Sequence, residues 1–387
     1  MNTSSYYDDC VKFLQKLIQT PSVNGKDNEK AIVNIIAEEA KKLGLPSKII
    51  AKDTARPNIF IGESLQDNQS LLLVAHLDTV PTGELATWGS DPFAAVLKDN
   101  KLYGRGAFDC KGGIALSLYV LKLLADKGLM HKAKFVGVAD EESGADSQLG
   151  LQYLLDKGLR AKAAVYVYGS NGHDNITIGH RGLIRLWVTC KGEAAHSGSS
   201  EWGSRTRGSS AIDGITDFLM EVRKLALPGT NKYFPEHKFT LTPTLIEGGS
   251  GESLVPDTAK VLLDIRMFPE HDNDEVIEKI AKITNKLSTN KLKFSIKVKN
   301  NIPGVITDPG SLFVQQAVKL NNQIFGLAPT LTGSGPANEG YMLVSNGIPT
   351  IMGYGPTGDN FHSANEYIEL NSIDSCLKFL VRLAERT

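Results

Sequence analysis

Apolar residues keep a helical spacing over the first 45 positions and then shift to short runs. Ile32, Ile35, Ile36 and Ala40 fall on one face of the second of two helices predicted before residue 45. Runs at 46–51, 58–62 and 70–75 read as strands. A helix starts at Gly112-Gly113, with Leu116, Val120, Leu121 and Leu124 as its apolar stripe. A strand at 134–139, a helix near 149–155 and a strand at 163–168 continue the alternation. This rhythm predicts an α/β fold, a mixed and mostly parallel sheet flanked by helices. After His180-Arg181-Gly182 the rhythm changes. A strand at 183–191, a helix at 209–226 with Ile212, Ile215, Leu219 and Val222 on one face, strands at 239–246 and 261–268, a helix at 274–287 and a strand at 293–298 follow. That order is the split pattern of ferredoxin-like α+β domains. The simplest organisation is a domain at 181–296 inserted into another formed by 1–180 and 297–387. The chain returns to the first through a helix at 311–325 and a strand at 349–354, and closes on a helix at 372–385.

Composition fits this division, since 387 residues exceed one ordinary core. With 42 basic and 43 acidic residues the net charge is −1, which gives no support for a nucleic-acid partner or an anionic membrane surface. No apolar run approaches the about 18 residues of a membrane span. The N-terminal residues lack the basic start and apolar stretch of a signal peptide. Cys10, Cys110, Cys190 and Cys376 are scattered without a CxxC pair, so neither a zinc knuckle nor a disulfide framework is indicated. Reduced thiols in a cytoplasmic protein are expected.

The chemistry-bearing residues cluster just beyond predicted strands, where open α/β sheets build their sites. His76-Leu77-Asp78 follows the run at 70–75, and a carboxylate at Asp78 is placed to fix the imidazole tautomer. Asp109 stands between Gly104-Arg105-Gly106 and Lys111-Gly112-Gly113. It reads either as a carboxylate presented by a tight turn or as a helix N-cap. Asp140-Glu141-Glu142 is either a solvated acidic loop or a cation-binding turn. His362 lies past a Gly/Pro-rich turn, and His196 follows the first strand of the inserted domain. Arg266 either binds a substrate carboxylate or pairs with Asp264. Histidines and carboxylates of this kind suit a hydrolytic zinc site.

In order along the chain, these strings resemble the zinc metallopeptidase and deacylase family of acetylornithine deacetylase, succinyl-diaminopimelate desuccinylase, aminoacylase and glutamate carboxypeptidase. The resemblance rests on His76-Leu77-Asp78-Thr79-Val80-Pro81, Gly104-Arg105-Gly106 with Asp109 and Lys111-Gly112-Gly113, and Asp140-Glu141-Glu142-Ser143-Gly144. It continues through Gly179-His180-Arg181-Gly182, Ala195-His196-Ser197, Val255-Pro256-Asp257, Asp264 with Arg266, and His362. It implies a zinc-exopeptidase-like catalytic domain holding two zinc ions and an inserted ferredoxin-like lid that forms a homodimer. It also implies His76 as ligand of one metal, Asp109 as the bridge, and Glu142 and His362 as ligands of the other. Asp78 would orient His76, Glu141 would be the general base and His196 would stabilise the oxyanion. Arg266, Arg181 and Asn338 would contact substrate. The implied reaction is cleavage of the amide bond of an N-acyl amino acid or short peptide with a free carboxylate.

The pattern breaks at one ligand. The family places an acid after the strand at 163–168, as third protein ligand of the His76 metal, where this chain has Ser170 in Tyr168-Gly169-Ser170-Asn171-Gly172. Three readings stay open. One is a single tightly bound zinc with the second weak or absent and activity retained, with cobalt or manganese as alternative metals. Another is that His173 or Asp174 folds back as a replacement ligand. The third is an impaired member acting as a ligand-binding or regulatory protein. Ser253 and the loop Gly335-Pro336-Ala337-Asn338-Glu339-Gly340 also depart from the family, leaving the recognised acid open. Cys110, beside the bridging aspartate, reads as packing.

Overall fold

The computed structural model describes residues 6–170 and 172–387. The chain divides into two compact units. One comprises Met1–Gly179, Ile306–Ser334 and Asn338–Thr387, and the other His180–Val305 with Gly335–Ala337.

The first unit is built on strands β1 (Ser47–Ile50), β2 (Asn58–Ile61), β3 (Leu71–His76), β4 (Ala133–Val138) and β5 (Ala163–Tyr166), with a short strand at Thr350–Ile351. Their order is β1-β2-β4-β3-β5 followed by Thr350–Ile351. The pairs on either side of β2 are antiparallel, and β4-β3, β3-β5 and β5 with Thr350–Ile351 are parallel. The parallel strands are buried along their whole length, because helices cover both faces and leave no polar side to alternate with. The register sets His76 level with Val138, so the chains leaving β3 and β4 run on as neighbours. Helix Gly112–Ala125 is buried almost all round and packs against helices Tyr7–Ile18 and Ile373–Arg386. Its start approaches the sheet closely. A Cβ on Gly113 would lie 1.6 Å from the Val167 carbonyl oxygen.

Short elements account for most differences from the sequence reading. A hairpin joins Val96–Lys98 to Lys101–Tyr103 through Asp99 and Asn100, both left-handed at φ 51° and 59°. Two residues of this type are what a tight hairpin turn requires. Strand Asn175–His180, with Ile176 and Ile178 alternating inward, lies outside the sequence reading, as do the short strand Thr330–Ser334 and helix Gly340–Ser345. The run at 349–354 pairs as a strand only at Thr350–Ile351.

The second unit has strands β6 (Gly182–Lys191), β7 (Thr240–Gly248), β8 (Thr258–Met267) and β9 (Lys293–Ile302) in the antiparallel order β7-β8-β6-β9. Helices Ala211–Val222 and Asn273–Leu287 pack on one face, where Ile184, Leu186, Val188 and Cys190 alternate inward from β6. Ser210 and Asp272 cap the two helices through their side chains. Among the described residues, no helix is long and apolar enough to cross a membrane.

Candidate metal centre

Four side chains from distant parts of the first unit converge. His76 Nε2 lies 2.8 Å from Asp109 Oδ1. His362 Nε2 lies 3.3 Å from Asp109 Oδ2 and 3.4 Å from Glu142 Oε1. Asp109 therefore turns one oxygen to each histidine. Ligand atoms of Asp109, Glu142 and His362 come within 4.8 Å of one another, as do those of His76, Glu141 and Glu142.

The backbone explains why these side chains meet. His76 ends β3, and Asp140-Glu141-Glu142 follows β4 immediately beyond the paired register. Asp140 and His362 both take left-handed conformations, at φ 67° and 60°. Such angles are sparsely used by non-glycine residues and cluster where geometry is dictated by a site. The turn carrying Asp109 is strapped by Glu366. One oxygen of its buried carboxylate accepts the N–H groups of Phe108 and Asp109, and the other accepts from Gly106 N–H and the Arg105 guanidinium. Glu366 escapes sequence reasoning because its partners are mainly backbone groups; its one signal is an acid four residues after His362.

The electrostatics suit a cation. Asp109 and Glu142 pair with His362 and push its pKa up to about 10. Burial disfavours charge on His76, but Cys110 and Asp109 outweigh it and hold the imidazole well above its usual range. Burial, with Glu142, Glu339 and Asp109 adding to it, drives Glu141 well above the carboxylate range against the opposing pull of His76. Glu142 Oε1 is buried without a hydrogen-bond partner. A divalent cation fits this donor set, since it replaces the protons that the carboxylates otherwise draw onto the imidazoles.

Asp78 engages differently from the expectation. His76 Nδ1 lies 2.9 Å from the Asp78 carbonyl oxygen and 3.6 Å from the carboxylate. The tautomer is thus fixed by a main-chain acceptor, leaving Nε2 to face Asp109. The Asp78 carboxylate instead accepts the N–H groups of Glu141 and Glu142 and the Asn24 amide. Burial opposes its charge, yet these donors and His76 keep its pKa lowered.

The region of the missing acid is occupied by backbone bonding. The Ser170 hydroxyl donates to the Gly172 carbonyl, and Ser170 N–H donates to Pro356. Neither replacement ligand is brought in, which corrects that reading. His173 stacks on Phe325 at 4.1 Å and meets a tilted Tyr354 ring at 5.5 Å, so an aromatic pocket holds its ring. Asp174 is exposed and accepts from Asn175. Cys110 Sγ comes within 4.8 Å of the ligand atoms of His76 and Asp109. It accepts the His76 N–H at 3.0 Å, and burial raises its pKa to about 11.

The expected substrate contacts are largely committed elsewhere. Arg266 forks onto Asp264 at 2.8 and 3.3 Å, and Asp264 also accepts from Arg185. Arg266 and Asp264 share a face of β8, so the local pair replaces the expected free guanidinium. Both ends of the Asn338 amide are spent on backbone, with Met352 as acceptor and Gly340 as donor. Arg181 donates to the Lys238 carbonyl, while its Nε is buried without a partner. In the second unit, exposed His196 accepts Gly198 N–H on Nδ1. The neutral ring then carries its proton on Nε2 and presents it as a donor.

Known proteins share this architecture. The model of peptidase family M20/M25/M40 matches residues 72–386. The N-formyl-4-amino-5-aminomethyl-2-methylpyrimidine deformylase of Bacillus subtilis is 25% identical over 97% of this chain and 93% of its own. An M20-family metallo-carboxypeptidase from Sulfolobus solfataricus superposes with a TM-score of 0.76 at 18% identity, over 97% of this chain and 98% of that one. A dinuclear metal-binding M20 peptidase of Bacillus subtilis gives a TM-score of 0.72 at 14% identity, over 98% of each chain. The family match spans His76, Asp109, Glu142 and His362, and the chain belongs to peptidase family M20/M25/M40.

Proposed function

We propose that this protein is a metal-dependent amidohydrolase, a deacylase or exopeptidase acting on an N-acyl amino acid or short peptide with a free carboxylate. The observation that carries the proposal is Asp109, which offers one oxygen toward His76 and the other toward His362, which also meets Glu142. Asp109, Glu142 and His362 are the residues proposed to hold zinc tightly, and His76 with Asp109 a second ion more weakly. A bound divalent cation acidifies water and polarises a carbonyl oxygen.

The remaining steps belong to the protein. Glu141 accepts the proton of the attacking water as the general base. The same carboxyl then delivers it to the departing amine, so that amine and carboxylic acid leave as separate products. His196 donates its Nε2–H to the developing oxyanion. Arg266 and Arg181 are the guanidiniums proposed for the substrate carboxylate, with Arg266 also held by Asp264 and Arg181 by the Lys238 carbonyl. The second unit is proposed as the lid and as the surface of a homodimer.

The test is release of free amine from a panel of N-acyl amino acids and dipeptides with added zinc, cobalt or manganese. Glu141→Gln is expected to lower kcat by about 10²- to 10⁴-fold while zinc stays bound. The engagement of Ser170 with Gly172 favours one tight metal, so one equivalent is expected to survive mild chelation. Two retained equivalents would overturn that count. Absence of amine release under every metal would leave a ligand-binding protein as the reading.

A further inference from the structure

Asn24 lies outside the converging ligands, yet it touches two of the acids that shape their loop. The segment Ser22–Asn24 is laced alongside Leu77–Thr79. Val23 and Thr79 form a parallel bridge, Asn24 N–H donates to Thr79, Thr79 N–H donates to Ser22, and the Ser22 hydroxyl donates to the Leu77 carbonyl at 2.7 Å. This lacing sets the Asn24 amide between two carboxylates. Nδ2 donates to Asp78 Oδ2 at 2.6 Å and to Asp140 Oδ1 at 3.0 Å. Behind Asp140 stands Arg56, bonded to Asp140 and forked onto Glu29, which is 1% exposed in its side chain. Glu29 also accepts Asp140 N–H at 3.2 Å, and Ser147 closes on the other Asp140 oxygen at 2.7 Å.

We infer that Asn24, backed by the Arg56–Glu29 ion pair, is a positioning residue that locks the Asp140–Glu142 turn against Asp78. The physical reason is the charge ledger. Asp78 and Asp140 are like charges in a part-buried space; Arg56 answers Asp140 from one side, and the two amide protons of Asn24 link the pair without further charge. Asp78 in turn holds the Glu141 and Glu142 amides at 3.2 and 3.0 Å. Displacing Asn24 frees Asp78 to shift and lets the left-handed Asp140 relax, which moves both following side chains. No sequence spacing points to this residue, because its partners lie 54 and 116 positions away.

The inference rests on the reading of Glu142 as a ligand and Glu141 as the base, so its test separates metal binding from turnover. Zinc affinity is measured by competition with a chromophoric chelator, which needs no substrate. The full chain is compared with Asn24→Ala, Asp78→Asn and the double variant. Asn24→Ala is expected to weaken zinc binding about tenfold, the low end for a residue that orients metal ligands. It is also expected to lower kcat while KM stays within about twofold. In the Asp78→Asn background the same change is expected to weaken zinc binding clearly less than tenfold, because chiefly the Asn24–Asp140 half of the lock is then left to break. Asn24→Asp keeps the shape and adds a carboxylate, so it guards against a merely unfolded alanine variant and is expected to lose more affinity. Unchanged zinc affinity in both Asn24 variants overturns the inference, and so does a full tenfold loss that persists beside Asp78→Asn. Zinc affinity that falls as expected, in a protein that releases no amine from any substrate tried, supports the positioning role and overturns the amidohydrolase reading instead.

Discussion

At the scale of single residues, His362 makes the metal-free site proton-rich. Its pKa, pushed up to about 10 by Asp109 and Glu142, means that the imidazole is protonated at neutral pH until a cation displaces the proton. Zinc uptake at pH 7 is expected to release at least one proton, and affinity to rise roughly tenfold per pH unit for each proton released, levelling near pH 10. Calorimetry in buffers of different ionisation enthalpy measures the count. The same ion pairs stabilise the metal-free fold fully below the ordinary histidine range and lose that effect as pH rises through about 10. A proton count of zero would mean that His362 is not a ligand. His76, Asp109, Glu142 and His362 were legible only through the ordered strings that carry them, and the structure brings their side chains together. Asp78 was legible as a neighbour of His76 but not in its engagement, since the N–H groups it holds belong to the backbone of Glu141 and Glu142 and leave no mark in the sequence.

At the scale of elements, continuous apolar runs were readable and mixed ones were not. The strand Leu71–His76, apolar through Ala75, and the helix Gly112–Ala125 announce themselves by such runs. The strands Asn175–His180 and Thr330–Ser334 carry no such run. Gly113 tests how tightly the helix meets the strand that precedes Ser170. Gly113→Ala sets a methyl carbon inside the Val167 carbonyl, so helix or strand must move. The expected loss is about 3 kcal/mol or more in urea denaturation. Gly44→Ala provides the contrast, since nothing lies within 4 Å of its added carbon and only its φ of +72° opposes the change. A loss near about 1 kcal/mol is expected there.

At the scale of the whole molecule, the change of rhythm after residue 180 was legible as a change of fold class. The Gly335–Ala337 excursion to the second unit was not, because three residues carry no period. The proposed homodimer belongs to this scale. β7 is an edge strand whose Leu245 and Ile246 are 53% and 64% exposed. Pro243 and the bulge after it interrupt this edge, so the exposed Leu245 and Ile246 side chains rather than a continuous ladder would carry the proposed contact. Ile246→Lys is expected to convert a sedimenting dimer to a monomer with little change in thermal melting. A wild-type protein that sediments as a monomer would exclude the dimer. The strap that Glu366 places on the Asp109 turn also has a bearing on birth order. A nascent chain that has emerged only as far as residue 179 holds His76, Asp109 and Glu142 but neither His362 nor the strap. The second unit, made of contiguous chain apart from three residues, completes its sheet while the first still waits for its last third. With His362 as the ligand proposed above, capture of the metal is among the final events of biosynthesis, and a chain terminated before residue 362 leaves the ribosome without that ligand.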